Sequence, residues 1–385
     1  MPEMLKQTQL FRFDQMAVQV KDKIDNPAEA DVDRYVGLEH IDPESLKIRR
    51  WGETTDVESS KIIFKSGDII FGKRRAYQRK LAVADFDGIC SAHAMVLRPK
   101  THVVIEEFLP FFMQSDIFMD RAVKISVGGL SPTINWSDIA KEEFALPPLE
   151  EQQRIAEVLL RIEATIARLL EVASSGYAAL ESCRDTWFGI SKSSTSTLGR
   201  LCERGSGIQI GPFGAQLHQS DYRSEGVPVV MPSDLGDNSI SMDQIAKVSP
   251  EKADQLSQHR LHIGDIILPR RGDLSRRALV SGEHEGWLCG TGCLRIRLDD
   301  VNLAQAVVQS LSSASVIRWL KSRAVGTTMP NLNSKIVAGV PVHFPERACD
   351  ALVLIDQLTT ALESTHARIA KLRRTRSSLL LEAFQ

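Results

Sequence analysis

The chain predicts an α+β fold built twice. Two tandem α/β modules are separated by two long helices that pair as an antiparallel coiled coil. Three observations carry this reading. FKSGDIIFGKRR at 64–75 is answered by LHIGDIILPRR at 261–271, with Gly67 and Gly264 in equivalent places, 197 residues apart. SVGGLSPTIN at 126–135 is echoed by AVGTTMPNLN at 324–333. Each second echo is followed by a proline-marked strand exit, at Pro147 and Pro148 and at Pro341 and Pro345, and then by a heptad-like segment. Features that recur in the same order mark a tandem duplication.

The first module is expected over 1–148. Its stretch 61–71 reads as strand, being short, apolar and bounded by Gly and Asp, and EEFLPFFMQSDIFMDRAV reads as helix. From Glu150 onward, Ile155, Leu159, Ile162, Ile166, Leu169, Ala173, Gly176, Leu180, Cys183 and Trp187 recur at alternating steps of four and three. That is the a/d seam of a coiled coil, and it predicts a central helix over 149–190. The polar run SKSSTST at 191–197 is a linker. The second module follows over 198–345, with strands around 265–268 and 294–298 and a helix across LAQAVVQSLSSASVIRWLKSRAV. A last helix over 346–385 carries the same alternation at Ala351, Ile355, Leu358, Leu362, Thr365, Ile369, Leu372, Arg376, Leu379 and Ala383. A lone amphipathic helix of this kind packs on its own domain or on a partner helix. Two matched stripes in one chain favour pairing, because each covers the other's apolar face. At about 1.5 Å per residue such a helix spans roughly 54 Å, more than the roughly 34 Å of one DNA turn.

Composition narrows the function classes. At 385 residues the chain has room for two or three cores. No apolar run approaches the roughly 18 residues that span a bilayer, and the opening MPEMLKQTQLFRFDQ lacks a signal-peptide pattern, so a cytoplasmic protein without a membrane partner is expected. Cys90, Cys183, Cys202, Cys289, Cys293 and Cys349 have no framework spacing and are expected as thiols. Cys289 and Cys293, with His284 nearby, form half a zinc site at best; their spacing is three and no second pair follows, so buried thiols are the far better reading. A net charge of −2 argues against indiscriminate binding to nucleic acid and requires any DNA contact to be concentrated on one face. There is no Gly-Lys-Ser/Thr phosphate loop, no G-x-G-x-x-G and no Asn-Pro-Pro-aromatic motif, so no catalytic residue and no cofactor or metal of this chain's own is expected.

Basic residues follow the Gly-Asp-Ile-Ile strand in both copies: Lys73, Arg74, Arg75, Arg79 and Lys80 around Tyr77 in the first, and Arg270, Arg271, Arg276 and Arg277 in the second. Such loops are commonly solvated surface. Recurrence at the same place favours instead phosphate contacts and bidentate reading of guanine edges. The segment 207–220 offers Gln209, Gln216 and His218 around a loop shaped by Gly211, Pro212 and Gly214. It reads either as base-reading amides and imidazole or as an ordinary glycine-proline turn. Thr133 to Asn135 and Thr328 to Asn333 are either polar residues facing a ligand or helix caps.

Three stretches carry a family resemblance: FALPPLEEQQRIAEVLLRIEATIARLLE at 144–171, YVGLEHIDPESL at 35–46, and GPFGAQL at 211–217. With them the chain closely resembles, over nearly its whole length, the specificity subunits of Type I restriction-modification systems. The resemblance implies two target recognition domains, each reading half of a split site in double-stranded DNA, with paired helices setting the spacer. It adds Phe213 to the DNA-facing loop. It implies docking of two methyltransferase subunits through Pro148, Glu151, Gln152, Ile155 and Leu159, and recruitment of motor-nuclease restriction subunits. S-adenosylmethionine, ATP and Mg would be bound by those partners. The second copy departs from the pattern, since VPVHFPERACDALVLIDQL at 340–358 lacks both the double proline and the Glu-Gln pair. Two other classes fit the same residues. One is the specificity subunit of a Type II-like fused methyltransferase-nuclease system, which a pull-down distinguishes; the other is a protein-binding scaffold, which the absence of a DNA footprint would favour.

Overall fold

The computed structural model describes residues 8–43, 45–190, 196–202, 207–326, 331–345 and 347–384. Most of the linker at 191–197, and Thr328 in the second echo, lie outside the described residues. The chain divides into two compact units, Met1–Leu170 with Ala367–Gln385, and Glu171–His366. Each unit is α+β and contains one module with half of each long helix.

In the first unit a four-stranded antiparallel sheet runs in the order Ala17–Val20, Ala94–Pro99, Ile69–Gly72, Leu81–Val83. A mixed five-stranded sheet carries Lys23–Ile24, Lys61–Phe64, Gly88–Cys90, Arg34–Val36 and Gly52–Glu53, with one parallel pair between Arg34–Val36 and Gly88–Cys90. The second unit repeats the plan. Ile208–Ile210, Cys293–Ile296, Ile266–Pro269 and Ala278–Leu279 form an antiparallel sheet, and Tyr222–Arg223, Ala246–Val248, Val227–Val230 and Leu288–Cys289 form a mixed one. The parallel pair recurs too. The stretch expected as one strand over 61–71 is two, because Gly67 turns the chain at φ 91° between Phe64 and Ile69.

Each four-stranded antiparallel sheet is backed by two helices where the sequence suggested one. Phe108–Gln114 gives way to Asp116–Lys124 at Ser115, and Ala304–Ser312 to Ala314–Arg323 at Ser313. Both serines adopt extended backbone and accept a hydrogen bond from the N–H three residues on, at Phe118 and Val316. An N-cap competes with helix continuation at such a residue, and here it wins in both copies. The cores differ in chemistry. The first is aromatic, with Phe13, Phe71, Phe112, Phe118 and Phe144 all buried. The second is aliphatic, around Leu268, Leu294, Ile296, Val307 and Leu311.

The first long helix is Leu149–Phe188 and the second Ala348–Phe384. All the predicted seam residues are buried or half-buried. In the first unit Leu159 packs with Leu380, and Glu163 accepts from Arg376 at 2.5 Å. The partner number falls as the first rises, so the pair is antiparallel. In the second unit Ala173, Leu180, Ala351, Ile355 and Leu362 share one cluster. Gly176 belongs to this seam for a steric reason, since a Cβ there would lie 2.8 Å from Leu362 Cδ2.

One buried histidine makes the second unit pH-sensitive. His259 is 4% exposed, and burial, then the nearby Arg295 cation, hold it below its ordinary 6.5. The unfolded chain therefore takes up a proton first on acidification. Its contribution is complete above pH 6.5 and declines as pH falls through 6.5 toward the lower folded value. The midpoint of the second unit is expected to drop between pH 7 and pH 5.5, and His259→Gln to flatten that part of the profile, as read by thermal denaturation at graded pH.

Candidate nucleic-acid interface

The Gly-Asp-Ile-Ile motif turns the chain into the central strand of each antiparallel sheet, and its aspartate is structural. Asp68 is 1% exposed, accepts from Lys65 N at 2.9 Å, and takes both donors of Arg98, Nε at 2.8 Å and Nη2 at 2.9 Å. Asp265 does the same, accepting from His262 N at 2.8 Å and from Arg297 Nε and Nη2 at 2.8 and 2.7 Å. A bidentate arginine lets a carboxylate be buried without an unmet charge. The strand that follows is thereby fixed, and its far end delivers the basic residues.

In the first unit that end is Lys73 to Arg75. Lys73 N donates to His93 O at 3.1 Å, and Ile134 N returns a bond to Lys73 O at 2.9 Å. The second unit matches bond for bond, with Arg270 N on Gly292 O at 2.7 Å and Leu332 N on Arg270 O at 2.8 Å. Arg74 forms a bridge with Thr133, and Arg271 with Asn331. Lys73 and Arg270, and Arg74 and Arg271, are thus equivalent, each held between the strand end and the second-echo loop.

The side chains divide into outward and inward sets. Arg75, Tyr77 and Arg271 are exposed. Arg74 is half-buried and donates through Nη1 to His93 Nε2 at 3.0 Å. Because a guanidinium only donates, the ring nitrogen accepts and His93 is neutral. Burial, then the Arg74 and Lys73 cations, keep its pKa below 6.5. Burial, then Lys23, also lower the Lys73 ammonium. Arg270 is half-buried, with Nε on Asn331 Oδ1 at 3.0 Å and Leu332 O at 3.1 Å.

Other expected contacts are committed elsewhere. Arg79 pairs with Asp116 at 2.6 Å and Asp120 at 2.8 Å, so two carboxylates already oppose its charge. Lys80 Nζ donates to Leu38 O at 2.5 Å. Arg276 is exposed yet leans on the carbonyls of Ser233 and Leu235 at 3.3 Å, with Asp273 3.5 Å away. Arg277 departs furthest from expectation. It is 3% exposed, donates to Leu311 O at 3.0 Å and faces Asp237 at 3.6 Å. Asp237 also accepts from Arg184 at 2.7 Å, and burial lowers the Arg277 pKa to about 10. Its guanidinium holds the second unit together from inside.

The 211–216 loop lies beside the basic arm of the second unit. Gly211 N donates to Cys293 O at 3.0 Å, and Thr291 Oγ1 donates to Pro212 O at 2.9 Å, tying the loop to the turn that receives Arg270. A Cβ at Gly211 would lie 2.0 Å from Gly290 O, so only glycine fits. The loop presents Phe213, 64% exposed. Gln216 is exposed but its Oε1 accepts from Phe213 N at 3.2 Å, and His218 is exposed, its N–H capped by Asp221 at 2.8 Å. Gln209 sits half-buried in the strand, opposite Arg295.

Residues 34–171 match the family described as Type I restriction modification DNA specificity domain. This part of the chain is similar to that family. A stretch of 159 residues is 30% identical to the Type I restriction enzyme EcoDI specificity subunit of Escherichia coli, covering 41% of this chain and 34% of that protein. The match thus spans about a third of the length of that relative. A solved structure from work on complex assembly and conformational transition of the type I R-M system aligns over 99% of this chain and 98% of that one, at 20% identity and a TM-score of 0.58. The S subunit of a Type-I restriction-modification system from M. genitalium aligns over 98% and 96%, at 15% identity and a TM-score of 0.57. At those identities the likeness is one of fold.

The matched stretch runs through the Pro-Leu-Glu-Glu-Gln start of the first long helix, and the geometry gives that motif an internal purpose. Gln152 is 1% exposed: Nε2 donates to Pro147 O at 2.9 Å and Val103 O at 3.3 Å, while Oε1 accepts from Ile105 N at 2.9 Å. Leu159 is likewise buried, against Phe111 and Leu380. These two, expected to dock a partner, instead lock the helix to its own domain. Glu151 pairs with Arg154 at 2.6 Å, Ile155 is half-buried, and Pro148 is exposed. Gln152→Ala is expected to destabilise the first unit by about 3 kcal/mol, since three buried backbone groups lose their partner, a loss readable as a lowered denaturant midpoint.

Sequence reasoning passed over Arg98, Arg297, His93 and Arg184. The first two share a signal that was available, an arginine in or just after the strand that pairs beside each Gly-Asp-Ile-Ile copy.

Proposed function

We propose that this chain is the non-catalytic, sequence-reading subunit of a Type I restriction-modification complex. Residues 1–148 and 198–345 each read one half of a bipartite site in double-stranded DNA. The paired helices set the spacer and dock two methyltransferase subunits. S-adenosylmethionine, ATP and Mg belong to the methyltransferase and restriction subunits, and the complex works in the cytoplasm.

The observation that carries this reading is the repeated basic arm. Two equivalent strands, each fixed by a buried aspartate with its bidentate arginine, lead into Lys73-Arg74 and Arg270-Arg271 held by the same backbone bonds. Cations presented from a rigid strand end suit phosphate and guanine contacts, and two copies suit a target in two halves. Phe213, Gln216 and His218 add apolar and polar groups for base edges in the second half.

The test is a nuclease footprint of the chain purified with its methyltransferase subunit. Two protected segments flanking an unprotected or weakly protected spacer are expected. Complex formation without any protected DNA would favour a protein-binding scaffold, and capture of a fused methyltransferase-nuclease would point to the Type II-like alternative.

A further inference from the structure

The first unit carries an apolar tip beside its basic arm. Leu130 is 98% exposed. Single exposed leucines are ordinary on protein surfaces, so exposure alone says little. What distinguishes this one is its mounting. Val127 and Thr133 exchange two backbone hydrogen bonds at 2.9 Å and close a short hairpin around Gly128, Gly129 and Leu130. Gly128 turns at φ 120°, and nothing lies within 4 Å of a Cβ built on Gly129, so the tip projects clear of the fold. The hairpin is fastened to the arm: Arg75 N donates to Pro132 O at 2.8 Å, Arg75 Nε to Ser131 Oγ at 3.4 Å, and Ile134 N to Lys73 O at 2.9 Å. Arg75 adopts a left-handed backbone at φ 56°, a conformation that a non-glycine residue holds at some cost.

The second unit keeps the base of the same hairpin, with Val325 and Asn331 exchanging bonds at 3.1 and 3.0 Å. Val325 is 64% exposed where Val127 is 65%. The base of the hairpin is mounted twice on the basic arm, which ties it to what the arm does.

We propose that Leu130 enters a groove of the first half-site and makes an apolar contact with a base there, adding sequence choice to an arm that otherwise grips phosphate. This rests on the DNA-reading function proposed above. The occupant is duplex DNA, because Lys73, Arg74 and Arg75 are bound to the base of the hairpin and call for a polyanion. Within a duplex, the apolar surfaces that would cover a leucine are the thymine methyl and the faces of base steps.

The test uses the full chain with its methyltransferase subunit and compares Leu130→Ala with Leu130→Met. Binding is measured by fluorescence anisotropy over a range of salt, on a duplex carrying the footprinted site and on one with its first half scrambled. Leu130→Ala is expected to weaken binding to the intact site roughly tenfold, with the scrambled duplex, the salt slope and the thermal midpoint unchanged, and Leu130→Met to retain most of the affinity. Parental affinity of Leu130→Ala on the intact site would overturn the proposal, as would equal loss on both duplexes. If the parent itself does not distinguish the two duplexes, the DNA-reading function fails first, and this proposal with it.

Discussion

Asp265→Ala is expected to lower the unfolding free energy of the second unit by about 3 kcal/mol, and Asp68→Ala that of the first by about 2 kcal/mol. Each substitution removes two charge-assisted hydrogen bonds and leaves a turn N–H, of His262 or Lys65, without its acceptor. The order follows from the arginine left behind. Arg98 is 49% exposed and can turn its guanidinium to water, whereas Arg297 is 23% exposed and has less to gain. Equilibrium denaturation of each variant reads the loss. A midpoint equal to the parent's for Asp265→Ala would show that the ion pair adds nothing, and that the strand is held by its ladder alone.

The second large effect is selective. Replacing Arg74 and Arg75 by alanine is expected to weaken recognition of one half of the target by one to two orders of magnitude, and replacing Arg270 and Arg271 that of the other half. Each double substitution should reduce the salt slope by about 2, one unit for each phosphate that is no longer neutralised. Arg277→Ala is the contrasting control. Its guanidinium is buried against Asp237 and Leu311, so its removal should lower the stability of the second unit and leave the salt slope of the folded protein alone. If the two arm variants weakened both halves equally, the arms would be general anchors rather than readers of separate halves.

Much of the architecture is legible in the sequence because it is periodic. The alternation of four and three from Ile155 to Trp187, and again from Ala351 to Ala383, is enforced by the need to cover an apolar stripe, and helix pairing follows from it. The repeat is legible because Gly67 and Gly264 each sit at a positive φ that the same turn requires. What escapes the sequence is the direction in which a charged side chain points. Arg271 and Arg277 look alike in a basic loop, yet one is exposed and the other is enclosed by Asp237 and Leu311, contributed from 40 and 34 residues away. Asp68 reads as a turn residue until Arg98, 30 positions on, is seen against it. Gln152 reads as part of a docking motif, whereas its hydrogen bonds go to Val103, Ile105 and Pro147. The breaks at Ser115 and Ser313 were visible only as serines in otherwise helical stretches, where a cap and a continued helix are close in free energy.

The central claim is that two domains of one chain read the two halves of one site. The most direct measurement is single-molecule mapping of methylated adenines in cells that co-express the chain with the methyltransferase subunit proposed as its partner, for the parent and for the two arginine-pair variants. A single split motif with a fixed spacer is predicted for the parent, with relaxed choice in one half only for each variant, and in opposite halves. A continuous motif, or relaxation of the same half by both variants, would contradict the account.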